Sequence, residues 1–138
     1  MRVVRVLLVD DEARFVDTLG KRLTARGYYV QVAYSGEQAL EMLRGTPFDV
    51  VLLDVRMPGI DGLETLREMA RFQPLVKVLL LSGNASINVA IEGMRHGAVD
   101  FLLKPTDLEE VLAKIDAAFE KKRLEEEQAA GGRMKSGE

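Results

Sequence analysis

Val50-Val51-Leu52-Leu53-Asp54-Val55-Arg56-Met57-Pro58-Gly59 is the stretch that decides how this chain folds. Four consecutive aliphatic residues make a strand buried on both faces, an aspartate closes it, and a tight turn follows at Arg56-Met57-Pro58-Gly59. Three other runs repeat the arrangement. Val6-Leu7-Leu8-Val9 ends in Asp10-Asp11-Glu12, Val78-Leu79-Leu80-Leu81 ends in Ser82, and Phe101-Leu102-Leu103 ends in Lys104-Pro105. In an open parallel sheet the carboxyl ends of the strands share one crevice. A crevice lined by three or four carboxylates, a hydroxyl and a lysine suits phosphoryl chemistry.

Helical periodicity fills the gaps between these runs. After a first strand near 3–9, Phe15, Leu19 and Leu23 fall at i, i+4 and i+8, and Gly27 sits where a left-handed cap would end the helix. Tyr29-Val30-Gln31-Val32-Ala33-Tyr34 alternates as a strand, and Ser35 with Gln38 matches a capping box ahead of Leu40 and Leu43. Beyond Asp54 a helix from about Gly62 places Leu63, Leu66, Met69 and Ala70 inward. Ser86 is read as the cap of a helix whose inner face is Ile87, Ile91 and Met94, ending at Gly97 before a strand over 99–103. Asp107 caps a last helix with Leu108, Val111, Leu112, Ile115 and Phe119 inward. Five strand–helix repeats predict an α/β fold: a doubly wound five-stranded parallel sheet with helices on both faces. The expected compact domain covers 1–123. Residues 124–138, charged and glycine-containing, are expected to be a frayed or disordered extension.

The composition narrows the function classes. At 138 residues with 47% hydrophobic and 30% charged, the chain suits one globular domain. No apolar run is long enough to span a bilayer, and Met1–Val6 lacks the apolar core of a secretory signal, so cytoplasmic residence without membrane insertion is the expectation. The absence of cysteine removes disulfides, thiolate metal sites and cysteine nucleophiles. A net charge of −3 without a basic stripe argues against direct nucleic-acid binding. No GxxxxGK[ST] loop is present. A haloacid-dehalogenase-like phosphatase would carry its aspartyl nucleophile after the first strand with a second acid two residues on. Here Asp54 ends the third strand and Arg56 holds that later position.

Read singly, these residues are ordinary. Asp10, Asp11 and Glu12 would be acids at a helix start, Lys104 a loop lysine, Ser82 a loop hydroxyl. Jointly and in order, Asp10-Asp11, the segment from Asp54 to Gly62, Ser82-Gly83 and Asp100-Phe101-Leu102-Leu103-Lys104-Pro105 closely resemble the receiver domain of two-component response regulators over about 3–121. The resemblance implies the flavodoxin-like (βα)5 fold with strand order 2-1-3-4-5. It implies Asp54 as phospho-acceptor and Mg²⁺ as cofactor, held by Asp11 and Asp54 directly, by Asp10 through water and by the Arg56 backbone carbonyl. It gives Lys104 and Ser82 as ligands of phosphoryl oxygens, and a cis bond between Lys104 and Pro105. The chemistry agrees: carboxylates are hard ligands suited to Mg²⁺, and without a cation two of them repel by roughly 4 kcal/mol at 4 Å for an effective dielectric near 20.

The same resemblance implies a switch in which Ser82 moves toward the phosphoryl group and Phe101 turns into the vacated space, changing a surface made by helix 4, strand 5 and helix 5. Arg56 and Asn84, two residues beyond Asp54 and Ser82, are expected to tune phosphoryl lifetime. The expected phosphoryl source is a sensor histidine kinase or a histidine phosphotransfer protein, and a phosphorylation-dependent homodimer is left open. The expected function is thus a stand-alone signalling switch, not an enzyme beyond its own phosphorylation and slow dephosphorylation. Two alternatives stand beside it: the receiver part of a longer transcriptional regulator cut in its linker, and a phosphorylation-independent interaction domain on the same fold. His96 and Asp61 are assigned only structural roles.

Overall fold

The computed structural model describes residues 2–56, 62–83, 87–104 and 106–136, with side chains through Gly131. Its five strands are β1 (Arg5–Val9), β2 (Tyr29–Ala33), β3 (Val50–Asp54), β4 (Lys77–Ser82) and β5 (Asp100–Leu103). Between and after them run α1 (Ala13–Ala25), α2 (Gly36–Gly45), α3 (Gly62–Phe72), α4 (Ile87–Arg95) and α5 (Leu108–Ser136). All strand pairs are parallel, in the order β2-β1-β3-β4-β5. The chain order reverses beside β1, which is where such a sheet opens its crevice.

Period-2 alternation in the strands divides the core in two. Leu7, Val9, Val51, Leu53, Val78 and Leu80 face one way and pack with Leu43, Leu66, Met69 and Ala90 of α2, α3 and α4. Val6, Leu8, Val50, Leu52, Leu79 and Leu81 face the other way, against Val16, Leu19 and Leu23 of α1 and Val111, Leu112 and Ile115 of α5. Burial on both faces explains why the β3 and β4 sequences are apolar without interruption.

The local punctuation has specific causes. Gly27 adopts φ +96°, a left-handed conformation that closes α1. Ser35 Oγ accepts the Gln38 N–H at 3.1 Å, and the Gln38 side chain reaches back to the Tyr34 N–H at 2.7 Å, one residue before the cap itself. Asp107 accepts the Glu110 N–H at 2.8 Å at the start of α5. The expected cap Ser86 lies outside the described residues.

Three inner faces differ from the expectation. In α1 Val16 is fully buried whereas Phe15 is half-buried, its ring 4.7 Å from the Lys104 ammonium near the crevice. In α3 Thr65 is buried and Ala70 exposed. In α4 the expected inner residues Ile87, Ile91 and Met94 are 38%, 46% and 37% exposed, and Ala90 and Gly93 face the sheet instead. The reason is close packing: a Cβ on Gly93 would lie 2.3 Å from Leu80 Cδ1, so only the small stripe lets α4 approach β4.

Helix α5 passes residue 123 without a break and continues to Ser136, where the sequence led us to expect fraying from 124. Its charged part is tied to the amino-terminal edge of the sheet. Lys77, 8% exposed at the start of β4, meets Glu125 at 2.6 Å. Asp49, 3% exposed just before β3, accepts from Lys122 at 2.8 Å, Arg2 at 3.0 Å and the Arg5 N–H at 2.8 Å. Charged residues of this helix are thus partners for two nearly buried groups.

Candidate functional site

The carboxyl ends of β1, β3, β4 and β5 converge as the sequence predicts. Asp10 follows β1 and is fully buried, its N–H donating to Ala33 O at 3.1 Å. Its Oδ1 accepts the Glu12 N–H at 3.0 Å and its Oδ2 accepts from Lys104 Nζ at 2.6 Å. Asp54, the last residue of β3, is 6% exposed. Its Oδ1 accepts the Arg56 N–H at 3.0 Å, and its Oδ2 lies 3.6 Å from Lys104 Nζ. Lys104 is placed by its own backbone, whose N–H donates to Ser82 O at 2.8 Å as β5 leaves β4. Its ammonium also meets Glu12 Oε1 at 2.9 Å and sits 4.7 Å from the centroid of the Phe15 ring.

Burial raises the Asp54 carboxyl from its ordinary 3.8. The Arg56 N–H pulls it down, the neighbouring Asp10 pushes it up again and the Lys104 charge lowers it, leaving a value of about 6. Burial alone would lower the Lys104 ammonium, but hydrogen bonds to Asp10 and Glu12 and the Asp54 charge outweigh it and hold the group above the usual lysine value. One lysine therefore faces three carboxylates.

Asp10, Glu12 and Asp54 each offer an oxygen within 4.8 Å of the others. Hard oxygen donors so gathered, with a net negative surplus, fit a small divalent cation such as Mg²⁺. Asp11, expected as a direct ligand, is exposed and stands outside this group, because successive residues leaving a strand point to opposite sides. Glu12, read from sequence only as a helix-start acid, takes a place in it. Its position two residues after Asp10 was visible; that its side chain folds back over the crevice was not.

The other expected residues divide three ways. Ser82 is fully buried at the end of β4 and its hydroxyl donates to Gly83 O at 2.8 Å. Phe101 is half-buried on β5 and packs against the core on the α2–α4 side. Arg56 has an exposed side chain, with its backbone N–H turned onto Asp54. Asn84, Asp61 and Pro105, and with it the expected cis bond, lie outside the described residues. His96 is exposed at the end of α4, 3.2 Å from Glu92.

Fold and crevice together define a doubly wound α/β domain with an acid-rich centre at its topological switch point. Residues 6–116 match the response regulator receiver domain family, and the chain belongs to that family. The transcriptional regulatory protein ZraR of Klebsiella oxytoca is 39% identical over 123 residues, 89% of this chain and 28% of that protein. The response regulator MprA of Mycobacterium ulcerans is 38% identical over 127 residues, 92% of this chain and 55% of that protein. The chain thus spans between about a quarter and a half of the length of these curated relatives. Among solved structures, a CheY-like response regulator receiver domain protein from Methanospirillum hungatei superposes with a TM-score of 0.84 at 26% identity, covering 90% of this chain and 99% of that one. The protein is a signalling domain of a response regulator. Among the described residues no helix is long and apolar enough to cross a membrane.

Proposed function

We propose that the chain is a phospho-accepting switch whose acceptor is Asp54. The observation that carries this reading is the placement of Asp54: a carboxylate at the end of the central strand β3, buried, with Lys104 at 3.6 Å and the Asp10 and Glu12 carboxylates gathered beside it. An Asp54 oxygen attacks the phosphorus of a phosphohistidine donor. The oxygen–phosphorus bond forms as the phosphorus–nitrogen bond breaks, and the electron pair leaves with the imidazole nitrogen, which takes up a proton. Catalysis here is mainly positioning and charge neutralisation. Asp10 and Asp54 would hold a Mg²⁺ ion, which when bound supplies the positive charge that lets a phosphoryl dianion approach the gathered carboxylates. Lys104, a compact charge on a flexible stem, takes one phosphoryl oxygen. The Ser82 hydroxyl gives up the Gly83 carbonyl to take another, and Phe101 follows it inward. Arg56 and Asn84 control how readily water attacks the acyl phosphate.

The output surface of this switch is α4, β5 and α5. Ile87, Ile91, Met94 and Leu103 expose 38%, 46%, 37% and 37% of their surface there, an apolar group that a protein partner or a second copy of the chain could cover. A sensor histidine kinase or histidine phosphotransfer protein supplies the phosphoryl group in the cytoplasm. The greater length of ZraR and MprA favours a second reading in which the same switch acts joined to an output module.

Incubation with acetyl phosphate and Mg²⁺, followed by intact mass, tests the proposal. One added phosphoryl group on the wild type and none on Asp54→Ala is the expected result. No addition, or equal addition to both proteins, would refute it.

A further inference from the structure

We propose that Glu12 and Phe15 form a resting cradle for Lys104 that competes with the phosphoryl group and so restrains phosphorylation of Asp54. The inference rests on Asp54 being the acceptor and adds two positioning residues that the switch described above does not use.

Lys104 Nζ is not directed at Asp54. It stands 2.6 Å from Asp10 Oδ2 and 2.9 Å from Glu12 Oε1, with the Phe15 ring centroid 4.7 Å away, whereas Asp54 Oδ2 is at 3.6 Å, beyond hydrogen-bond distance. Glu12 and Phe15 are three residues apart at the start of α1, so they lie on one face and close around the ammonium from the helix side. An ammonium above an aromatic face is attracted by the ring quadrupole, and the ion pairs hold it from the other sides. To reach a phosphoryl oxygen on Asp54, the ammonium must leave Glu12 and the ring.

The two cradle contacts differ in a way that makes them separable. The Glu12 side chain is 64% exposed and the Lys104 side chain 17%, so their pair is partly screened and its effect is modest. Removing the Glu12 charge also lessens repulsion of an anionic donor, an effect independent of Lys104. Phe15 carries no charge, and replacing it with leucine keeps an apolar side chain while removing the ring. A rate increase in Phe15→Leu therefore reports release of Lys104 alone. A third role for Glu12, as a ligand of the cation, predicts the opposite: Glu12→Gln would weaken Mg²⁺ binding and slow the reaction.

The test uses the full chain as wild type, Glu12→Gln, Glu12→Asp and Phe15→Leu, with two readouts. In metal-free protein the proton resonances of the Lys104 ε-methylene are expected upfield of an ordinary lysine because of the Phe15 ring, with the shift lost in Phe15→Leu and reduced in Glu12→Gln. With acetyl phosphate at saturating Mg²⁺, Glu12→Gln and Phe15→Leu are each expected to phosphorylate about three-fold faster than wild type. Glu12→Asp is expected to fall between Glu12→Gln and wild type. The Mg²⁺ affinity of each variant, by calorimetry, is expected to stay within about two-fold of wild type. Unchanged or slower phosphorylation in Phe15→Leu overturns the cradle. So does a loss of Mg²⁺ affinity of about ten-fold or more in Glu12→Gln, which would make Glu12 a ligand. A normal ring shift in a wild type that accepts no phosphoryl group would sink the acceptor role of Asp54. Absence of the shift in a wild type that does accept one would sink the cradle alone.

Discussion

Replacing Asp54 by asparagine is expected to stabilise the metal-free protein at neutral pH, although it removes the proposed acceptor. The Asp54 carboxyl is held at about 6 in the folded state against an ordinary 3.8, chiefly by burial and then by the Asp10 charge. For a group whose folded value is raised, the folded state binds more protons than the unfolded one between these two values. The associated stability is therefore complete below about pH 4 and is lost as pH rises through about 6. At about 1.4 kcal/mol for each unit of pKa difference, ionised Asp54 costs the fold about 3 kcal/mol at pH 7.5. Asparagine keeps an oxygen for the Arg56 N–H and carries no charge, so it escapes this cost. For a domain of this size about 3 kcal/mol corresponds to a melting temperature raised by roughly 10 °C. Thermal and urea unfolding of both proteins in chelator at pH 7.5 and at pH 4 provide the measurement. The advantage of Asp54→Asn should nearly vanish at pH 4, and millimolar Mg²⁺ at pH 7.5 should narrow it by stabilising the wild type. A variant no more stable than wild type at pH 7.5, or an advantage independent of pH, would refute the reasoning that burial and Asp10 strain this carboxylate.

Other outcomes follow from single positions. Asp49→Asn leaves Lys122, whose side chain is 12% exposed, with only the more distant Glu126 at 3.6 Å as its charged partner in place of Asp49 at 2.8 Å, and should cost about 1–2 kcal/mol in urea unfolding. Hydrogen exchange over residues 120–127 should accelerate in that variant, because the same carboxylate ties α5 to the sheet; unchanged exchange would show that the distal helix is held otherwise. Gly62→Ala puts a Cβ 2.7 Å from Val55 Cα and 3.1 Å from Asp54 O, atoms of backbone that cannot swing aside, so a loss on the order of 2 kcal/mol is expected together with slower phosphorylation. Arg56→Ala and Asn84→Ala should change the decay rate of the phosphorylated protein without preventing its formation, as followed by the loss of the added mass; equal decay in wild type and both variants would remove these residues from lifetime control.

Strand identity was readable because β1, β3 and β4 are covered on both faces and so show unbroken aliphatic runs, each closed by a polar residue at the crevice. That pattern by itself places Asp10, Asp54, Ser82 and Lys104 at one crevice. Helix orientation was harder. A strongly apolar Ile87, Ile91 and Met94 stripe outweighs Ala90 and Gly93 in any periodicity argument, yet the contact distance to Leu80 selects the small residues for the sheet. The charged end of α5 misled in the other direction. Glu125 and Lys122 sit in a charged stretch with no sequence neighbour to pair with the sheet, and only the fold reveals the buried Lys77 and Asp49 that they match, 48 and 73 residues away in sequence. Glu12 and Phe15 hide their role for a related reason: in sequence one reads as a helix-start acid and the other as core, and their common contact with Lys104, about 90 residues downstream, exists only in three dimensions.

The central claim is that the Asp54 carboxylate itself becomes the acyl phosphate. Borohydride reduces an aspartyl phosphate to homoserine, so protein treated with acetyl phosphate and Mg²⁺, reduced, digested and sequenced by mass spectrometry records the acceptor as a change of residue. Homoserine at position 54 of the wild type, absent when Mg²⁺ is withheld and absent from Asp54→Ala, is the predicted result. Homoserine at position 10 or 11, or an unmodified aspartate at 54 in protein that carries the added phosphoryl mass, would contradict it.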